Sequence, residues 1–182
     1  NINLISCHLG GGWSIAAIKN GKPIETSMGW TPLEGLIMMT RAGDLDPGII
    51  LELLKILPGE INEQKVSQLN DLLNNYSGII GLSGCRNYLE LLKNMSLGDE
   101  QAKLAFDIAI YRLVKYIGAY WLIVGAKVDA IVFTGEIGAG NSITRAGVMK
   151  KIRVLGDIPC LVIKTDEELM IAREVRRVLS KK

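Results

Sequence analysis

A run of three glycines between two strand-like segments constrains the fold of this chain most. Gly10–Gly12 separates Ile2–Cys7 from Trp13–Lys19, and both flanking segments are short and apolar, as buried strands are. Asn20-Gly21 is a strong hairpin signal and leads into Pro23–Ser27. The start of the chain therefore predicts three sequential antiparallel strands.

Helices dominate the rest of the chain, with two further strands between them. These strands are Val128–Phe133 and Cys160–Ile163, which we expect to be buried. Strands separated by helices pair in parallel. The fold class is therefore α/β: a mixed sheet of three antiparallel strands and then parallel strands, with helices on both faces. The predicted helices are Pro47–Leu57 with Asp46 as N-cap, Asn62–Asn74, Arg86–Lys93, Asp99–Val124, Asn141–Arg153 and Asp166–Leu179 with Thr165 as N-cap.

Length and composition exclude several classes of protein. The 182 residues predict a single domain with a sizeable core, and a net charge of +2 is too small to indicate nucleic acid or a membrane surface as partner. The longest charge-free apolar stretch, Tyr116–Ala126, is too short to span a bilayer. Cys7, Cys85 and Cys160 are far apart and odd in number, which predicts buried thiols in a reduced, cytoplasmic protein.

Three glycine-bearing turns follow predicted strands or helices: Gly10–Gly12, Gly81–Gly84 and Gly135–Gly140. Each alone is a weak signal, because such turns often only reverse the chain. Glycine has no Cβ, so a phosphate can approach the backbone and be held by its N–H groups. The third turn enters a helix, whose first N–H groups could face a nucleotide. Together the turns indicate a phosphate site, which such sheets place outside the carboxyl ends of their strands.

Single charged side chains near these turns suggest phosphoryl transfer. Arg41 offers a permanently charged, planar fork for phosphate or carboxylate oxygens, or else a local salt bridge with Asp44 or Asp46. His8, the only histidine, follows the first strand beside the glycines, either as a structural residue or facing a substrate. Glu167 lies in the first turn of the last helix, where it either stabilises the helix dipole or binds Mg²⁺.

Four motif-bearing segments suggest a particular class of phosphotransferase. The chain has no G-x-x-x-x-G-K-[ST] loop and no protein-kinase H-R-D or D-F-G set, so a phosphotransferase here belongs to another class. The four segments are His8-Leu9-Gly10-x-Gly12, Thr26-Ser27-Met28-Gly29-Trp30-Thr31-Pro32-Leu33-Glu34-Gly35, Thr40-Arg41-x-Gly43-Asp44-Leu45-Asp46-Pro47 and Thr165-Asp166-Glu167-Glu168-Leu169-x-Ile171-Ala172-Arg173-Glu174. They resemble the acetate kinase family, and the block from Thr26 to Pro47 is the most specific part of the resemblance.

The resemblance implies a ribonuclease-H-like core of the sugar kinase/Hsp70/actin superfamily. It also implies that residues 1–182 are the C-terminal domain of a two-domain kinase whose N-terminal domain is absent from this chain; the strand-like start without an initiator Met fits that expectation. The implied reaction is the reversible, Mg²⁺-dependent transfer of a phosphoryl group from ATP to acetate, giving ADP and acetyl phosphate. The implied partners are a small carboxylate, a nucleotide and a second copy in a homodimer.

Residue roles carry over onto matching positions as implications of the resemblance. Arg41 would stabilise the transition state, Glu167 would bind Mg²⁺, and Pro32 would line the pocket for the acyl methyl group. The backbone turn that would contact ATP phosphates comprises His8, Leu9, Gly10, Gly11 and Gly12. The loop that would meet the adenosine side comprises Gly135, Ile137, Gly138 and Asn141.

Several positions depart from the family pattern and keep a second function open. Gly11 replaces the usual asparagine, and Tyr88-Leu89-Glu90 replaces the usual Asp-Phe-Arg nucleotide contact. The loop from Gly135 to Asn141 carries an extra residue. The alternative is therefore a non-catalytic module of the same fold that binds nucleotide and dimerises. A nuclease would need acidic residues clustered at strand ends, and the predicted strands are almost free of Asp and Glu.

Overall fold

A five-stranded mixed sheet in the order β3-β2-β1-β4-β5 organises the structure, a computed structural model that describes residues 2–180. Strands β1, β2 and β3 are antiparallel neighbours, β4 pairs in parallel with β1, and β5 pairs in parallel with β4. This confirms the predicted mixed sheet. The strands are β1 Leu4–Leu9, β2 Trp13–Lys19, β3 Lys22–Thr26, β4 Ala130–Thr134 and β5 Cys160–Val162.

Two of the helices occupy segments that the sequence predicted as glycine turns. These are α3 and α6, which begin at Gly78 and Gly135 with φ angles of 64° and 79°. Asp46 caps α1 as predicted, whereas the last helix is capped by Asp166 and not by Thr165. The helices are α1 Pro47–Ile56, α2 Glu63–Asn75, α3 Gly78–Ser83, α4 Tyr88–Ser96, α5 Glu100–Ile123, α6 Gly135–Gly140, α7 Ser142–Ile152 and α8 Glu167–Leu179, with a 3₁₀ turn at Arg153–Leu155.

Alternating side chains of the central strands form the floor of the core. Ile5, Cys7 and Leu9 of β1 are fully buried, and they pair in register with the equally buried Ala17, Ile15 and Trp13 of β2. Helix α5 packs against these two strands. The intervening residues of β1 are only half-buried within the described part of the chain. The period of two therefore fixes which side of the sheet carries the core.

The C-terminal segment is exposed, contrary to one prediction. Every residue from 159 to 180 is exposed, so Cys160–Ile163 is not a buried strand and the Cys160 thiol is accessible. The strand is apolar, but β5 is the edge of the sheet and no described residue covers it. Cys7 and Cys85 are buried as predicted. No helix within residues 2–180 combines the length and the apolar character needed to cross a membrane.

Candidate anion and nucleotide site

The carboxyl ends of three parallel strands meet at one edge of the sheet. β1 ends at Leu9 and runs into Gly10–Gly12, β4 ends at Thr134 and runs into Gly135, and the segment after β5 leads to Glu167. Neighbouring strands lie about 5 Å apart, so these three segments lie side by side. This edge is where α/β sheets of this kind bind their ligands.

The first glycine turn is held in place by its own backbone and by one buried tryptophan. The Gly10 amide donates to the Gly12 carbonyl at 3.0 Å, and Trp13 Nε1 donates to the Gly10 carbonyl at 3.0 Å. Leu9 places its side chain in the core, so only its backbone can reach a ligand. His8 is half-buried in β1, and its Nε2 lies 3.7 Å from where a Cβ on Gly10 would stand.

The Arg41 guanidinium lies directly against this turn. Its Nη1 is 3.0 Å from the position that a Cβ on Gly12 would occupy, and 3.6 Å from the sulfur of Met38. Within residues 2–180, no carboxylate lies within ion-pair distance of Arg41. Asp44 and Asp46, the partners considered from the sequence, bond elsewhere. A free positive charge therefore faces the glycine backbone.

The backbone around Arg41 is fixed by the ends of two helices. The Ser77, Ile79 and Ile80 amides donate to the carbonyls of Thr40, Met38 and Met39 at 3.0, 2.9 and 2.9 Å. Gly78 touches the Arg41 backbone so closely that an added Cβ would stand 2.6 Å from the Arg41 carbonyl oxygen. The N-terminal amides of α3 are thus spent on holding the arginine loop and are not left for an anion.

Asp44 ties the same loop to the long helix α5. Its Oδ1 accepts from the Gly35 amide at 2.8 Å, and its Oδ2 accepts from the Tyr116 hydroxyl at 2.8 Å. Arg112 Nη1 stands 4.0 Å from the same carboxylate. Burial, and then the bond to the Asp44 carboxylate, raises the pKa of Tyr116 well above its usual range, so the hydroxyl keeps its proton and donates.

A cavity of about 560 Å³ lies beside the glycine turn and brings distant segments together. Of the residues predicted for the nucleotide, Gly11, Ile137 and Asn141 line it. Gly135 and Gly138 do not; they pack underneath, where an added Cβ would meet the Leu9 backbone at 2.6 Å and the Cys7 carbonyl at 3.5 Å. The remaining lining residues are Met39, Arg86, Asn87, Tyr88, Leu89, Glu136 and Gly140.

Two predicted site residues remain apart from this cavity. Pro32 is exposed, although its neighbours Thr31 and Leu33 line a separate hollow of about 420 Å³ with Asp44. Glu167 is exposed at the first residue of α8 and lines a shallow depression with residues of its own segment. No cluster of three or more metal-binding side chains occurs among the described residues.

Sequence reasoning missed several residues that shape the site. Arg86 and Glu136 line the cavity. Arg86 closely follows the Gly81–Gly84 segment, and Glu136 lies within Gly135–Gly140. Gly78 was visible only as one more glycine before an apolar run. Tyr116 had no local signal, because its partner Asp44 is 72 positions away in the chain.

A mixed sheet carries at its carboxyl edge glycine turns, a cavity and an arginine that has no carboxylate partner among the described residues. This is the architecture of α/β proteins that bind anionic ligands at that edge. Residues 1–158 match the sequence profile of the Acetokinase family, and the chain belongs to that family.

Known proteins resemble the chain in sequence and in structure. It is 41% identical to the acetate kinase of Caldicellulosiruptor bescii, across 99% of this chain and 50% of that protein. The crystal structure of Porphyromonas gingivalis acetate kinase superposes with a TM-score of 0.89 at 35% identity, covering 98% of this chain and 49% of the other. The crystal structure of a propionate kinase from Francisella tularensis superposes with a TM-score of 0.87 at 37% identity, covering 96% of this chain and 49% of the other. The chain thus spans about half the length of the curated relatives that it matches.

Proposed function

We propose that this chain is the C-terminal domain of an enzyme that transfers a phosphoryl group reversibly between ATP and acetate. The observation that carries the proposal is the Arg41 guanidinium, which lies against Gly12 and has no carboxylate partner within residues 2–180. Two segments far apart in the sequence, a glycine turn and an arginine loop, thereby present amides and a positive charge to one polyanion. Membership in the Acetokinase family supports the reaction class.

The chemistry requires charge neutralisation more than proton transfer. An acetate carboxylate is ionised at neutral pH, so no general base is needed to make the nucleophile. The obstacle is the approach of one anion to another, and positioning and electrostatic stabilisation dominate such reactions. Arg41 would bind the oxygens of the transferring group, while the turn at Gly10–Gly12 holds the neighbouring phosphate through its backbone.

A single carboxylate at Glu167 fits Mg²⁺ better than it fits other metals. Mg²⁺ binds hard oxygen ligands and commonly takes one or two carboxylates together with substrate phosphates and water. Glu167 is exposed and follows β5, the strand whose carboxyl end lies at the same edge of the sheet as the glycine turns. Bound there with ATP, the ion would neutralise phosphate charge. Asp166 keeps the helix start in place, because its Oδ1 accepts from the Leu169 amide at 3.1 Å.

The cavity of about 560 Å³ is the proposed nucleotide site. Its volume falls within the usual range for small-molecule sites, and Gly11 joins it to the phosphate turn. Pro32 would border the acyl group, and acetate and propionate both remain candidate acceptors because relatives of both names match. In this proposal, residues outside the chain complete the acceptor pocket, since Trp30 is fully accessible and Pro32 is exposed.

We further propose a cytoplasmic homodimer that associates through this domain. The outer side of α5 exposes Leu104, Tyr111 and Leu122, which are between 57% and 65% accessible. Large apolar side chains that are exposed on one helix commonly mark an interface. Sedimentation of the full-length gene product would distinguish monomer from dimer.

Trapping of acetyl phosphate with hydroxylamine tests the proposed reaction. With Mg²⁺, ATP and acetate, we expect the full-length gene product to form acetyl hydroxamate, and residues 1–182 alone to form none. Omission of acetate is the control. A full-length protein that binds ATP but forms no hydroxamate from acetate or propionate would favour the alternative, a non-catalytic module that binds nucleotide and dimerises.

Alanine at position 12 is expected to displace the Arg41 guanidinium without unfolding the protein. Gly12 does not have a positive φ, and the atom nearest to an added Cβ is Arg41 Nη1 at 3.0 Å, the mobile end of a long side chain. We expect the free energy of unfolding to change by less than about 1 kcal/mol and kcat to fall roughly ten-fold. Denaturation and steady-state kinetics of Gly12→Ala measure both quantities.

Gly147→Ala is the matched control, because Gly147 lies in α7 and an added Cβ would make only ordinary contacts at 3.7 Å. It should leave kcat unchanged. If Gly12→Ala has the same kcat as the wild type, contact between residue 12 and Arg41 does not limit the reaction.

A further inference from the structure

A buried hydrogen bond joins two walls of the cavity that are far apart in the sequence. Tyr88 is the first residue of α4, and Thr144 lies in the first turn of α7. The Tyr88 hydroxyl and Thr144 Oγ1 are 2.8 Å apart, and the two residues are only 6% and 0% exposed. The segment containing Tyr88 and the segment containing Asn141, which caps α7, both line the cavity.

The direction of the hydrogen bonds follows from their neighbours. Asn141 Oδ1 accepts from the Thr144 amide at 2.9 Å and from Thr144 Oγ1 at 2.8 Å. A backbone amide can only donate, so the orientation of the Asn141 side-chain amide is fixed. The Thr144 hydroxyl donates its only proton to Asn141, so the Tyr88 hydroxyl must be the donor in its hydrogen bond with Thr144. Burial raises the pKa of Tyr88 to about 12, which keeps that proton in place.

The Tyr88 ring also supports the glycine turn. It packs on Trp13 with ring centroids 5.8 Å apart at an interplanar angle of 59°. Trp13 in turn donates its Nε1–H to the Gly10 carbonyl. One buried side chain thus contacts Trp13, which supports the glycine turn, on one side and Thr144, which bonds the Asn141 cap of α7, on the other.

We propose that Tyr88 is a positioning residue for nucleotide binding: with Thr144, it fixes the width of the cavity and holds Asn141 with its NH₂ group as the donor to the nucleoside. This inference rests on the proposed function, because it takes the cavity as the nucleotide site. Asn141 Oδ1 is occupied by Thr144, so the group that Asn141 offers to a ligand is a donor. It would select an acceptor oxygen or ring nitrogen on the nucleoside.

Isosteric substitutions in the full-length protein test the role of the two hydroxyls. Tyr88→Phe and Thr144→Val each remove one hydroxyl, and we expect each to weaken ATP binding about three- to ten-fold. We expect kcat at saturating ATP to change less than about two-fold, because neither residue contacts the transferring group. Thr144→Ser keeps the hydroxyl and should restore wild-type binding. The Kd for ATP from titration calorimetry and the separate kcat and KM values are the measurements.

The double variant and a distant tyrosine complete the design. If the two hydroxyls act as one unit, Tyr88→Phe with Thr144→Val should weaken binding less than the product of the single effects. Tyr76→Phe removes an exposed hydroxyl at the end of α2 and should change nothing.

Three results would overturn the inference. They are wild-type ATP affinity in both Tyr88→Phe and Thr144→Val, equal losses in Thr144→Ser and Thr144→Val, or a fall in kcat with an unchanged Kd. A wild-type protein that binds ATP and responds to these variants, but transfers no phosphoryl group, would refute the proposed reaction and leave the inference standing. Failure of the wild-type protein to bind ATP would refute both.

Discussion

Arg41→Ala in the full-length protein is expected to lower kcat by about 100-fold or more, with much smaller changes in the KM values for ATP and acetate. The guanidinium lies against the glycine turn and has no carboxylate partner within residues 2–180, so its charge is available to the transferring group. The negative charge on that group must be stabilised most in the transition state. Loss of an interaction of this kind lowers kcat and kcat/KM together.

Two further variants separate charge from geometry at this position. Arg41→Lys keeps the positive charge but loses the planar fork, so we expect it to recover only part of the lost rate. Arg153→Ala removes an exposed arginine from the 3₁₀ turn and should leave kcat unchanged. An Arg41→Ala enzyme with wild-type turnover would remove Arg41 from the mechanism, whatever its position in the structure.

Local sequence signals located the sheet and several helix boundaries. Strand β2 was predicted with its observed limits, Trp13–Lys19, because an apolar segment lies there between two glycine-bearing turns. Asp46 followed by Pro47 combines a side-chain cap with a residue suited to the first helical position, and α1 starts as predicted. The alternation of strands and helices was enough to predict parallel pairing at β4 and β5.

Short glycine-rich helices could not be predicted in the same way. Glycine disfavours helices, so the sequence predicts turns at Gly81–Gly84 and Gly135–Gly140, where the structure has α3 and α6. Contacts from distant residues form them instead: α3 starts where its amides bond the carbonyls of the arginine loop, and α6 packs on the end of β1. These contacts exist only once the chain has folded.

The candidate site likewise contains residues that the sequence identifies and residues that only the folded structure identifies. The glycine turn and Arg41 carry their chemistry in their residue types, and the sequence sufficed to single them out. The groups that position them, such as Tyr116 on Asp44 and Thr144 on Tyr88, are paired across 72 and 56 positions of the chain. Tyrosine and threonine hydroxyls are common in any protein and give no sequence signal, so their roles are defined only by the residues that they contact in the fold.

Gly78 is the position where a single methyl group should disturb the site most. Its φ is +64°, a left-handed conformation that costs other residues about 1–2 kcal/mol. An added Cβ would stand 2.3 Å from the Met38 carbonyl oxygen and 2.6 Å from that of Arg41. Both atoms belong to the backbone, so they can yield only if the arginine loop moves as a whole.

Gly78→Ala is therefore expected to destabilise the protein by at least about 1–2 kcal/mol and to lower kcat roughly 100-fold, because displacements of about 1 Å at a reacting site have effects of that size. Gly84→Ala provides the matched control at the other end of α3: its φ is +71°, but an added Cβ would meet nothing within 4 Å. It should lose comparable stability from backbone strain and keep its turnover. Thermal unfolding and kinetics at a temperature where both variants are folded separate the two effects. Equal turnover in the two variants would mean that strain alone, and not displacement of Arg41, accounts for the result at position 78.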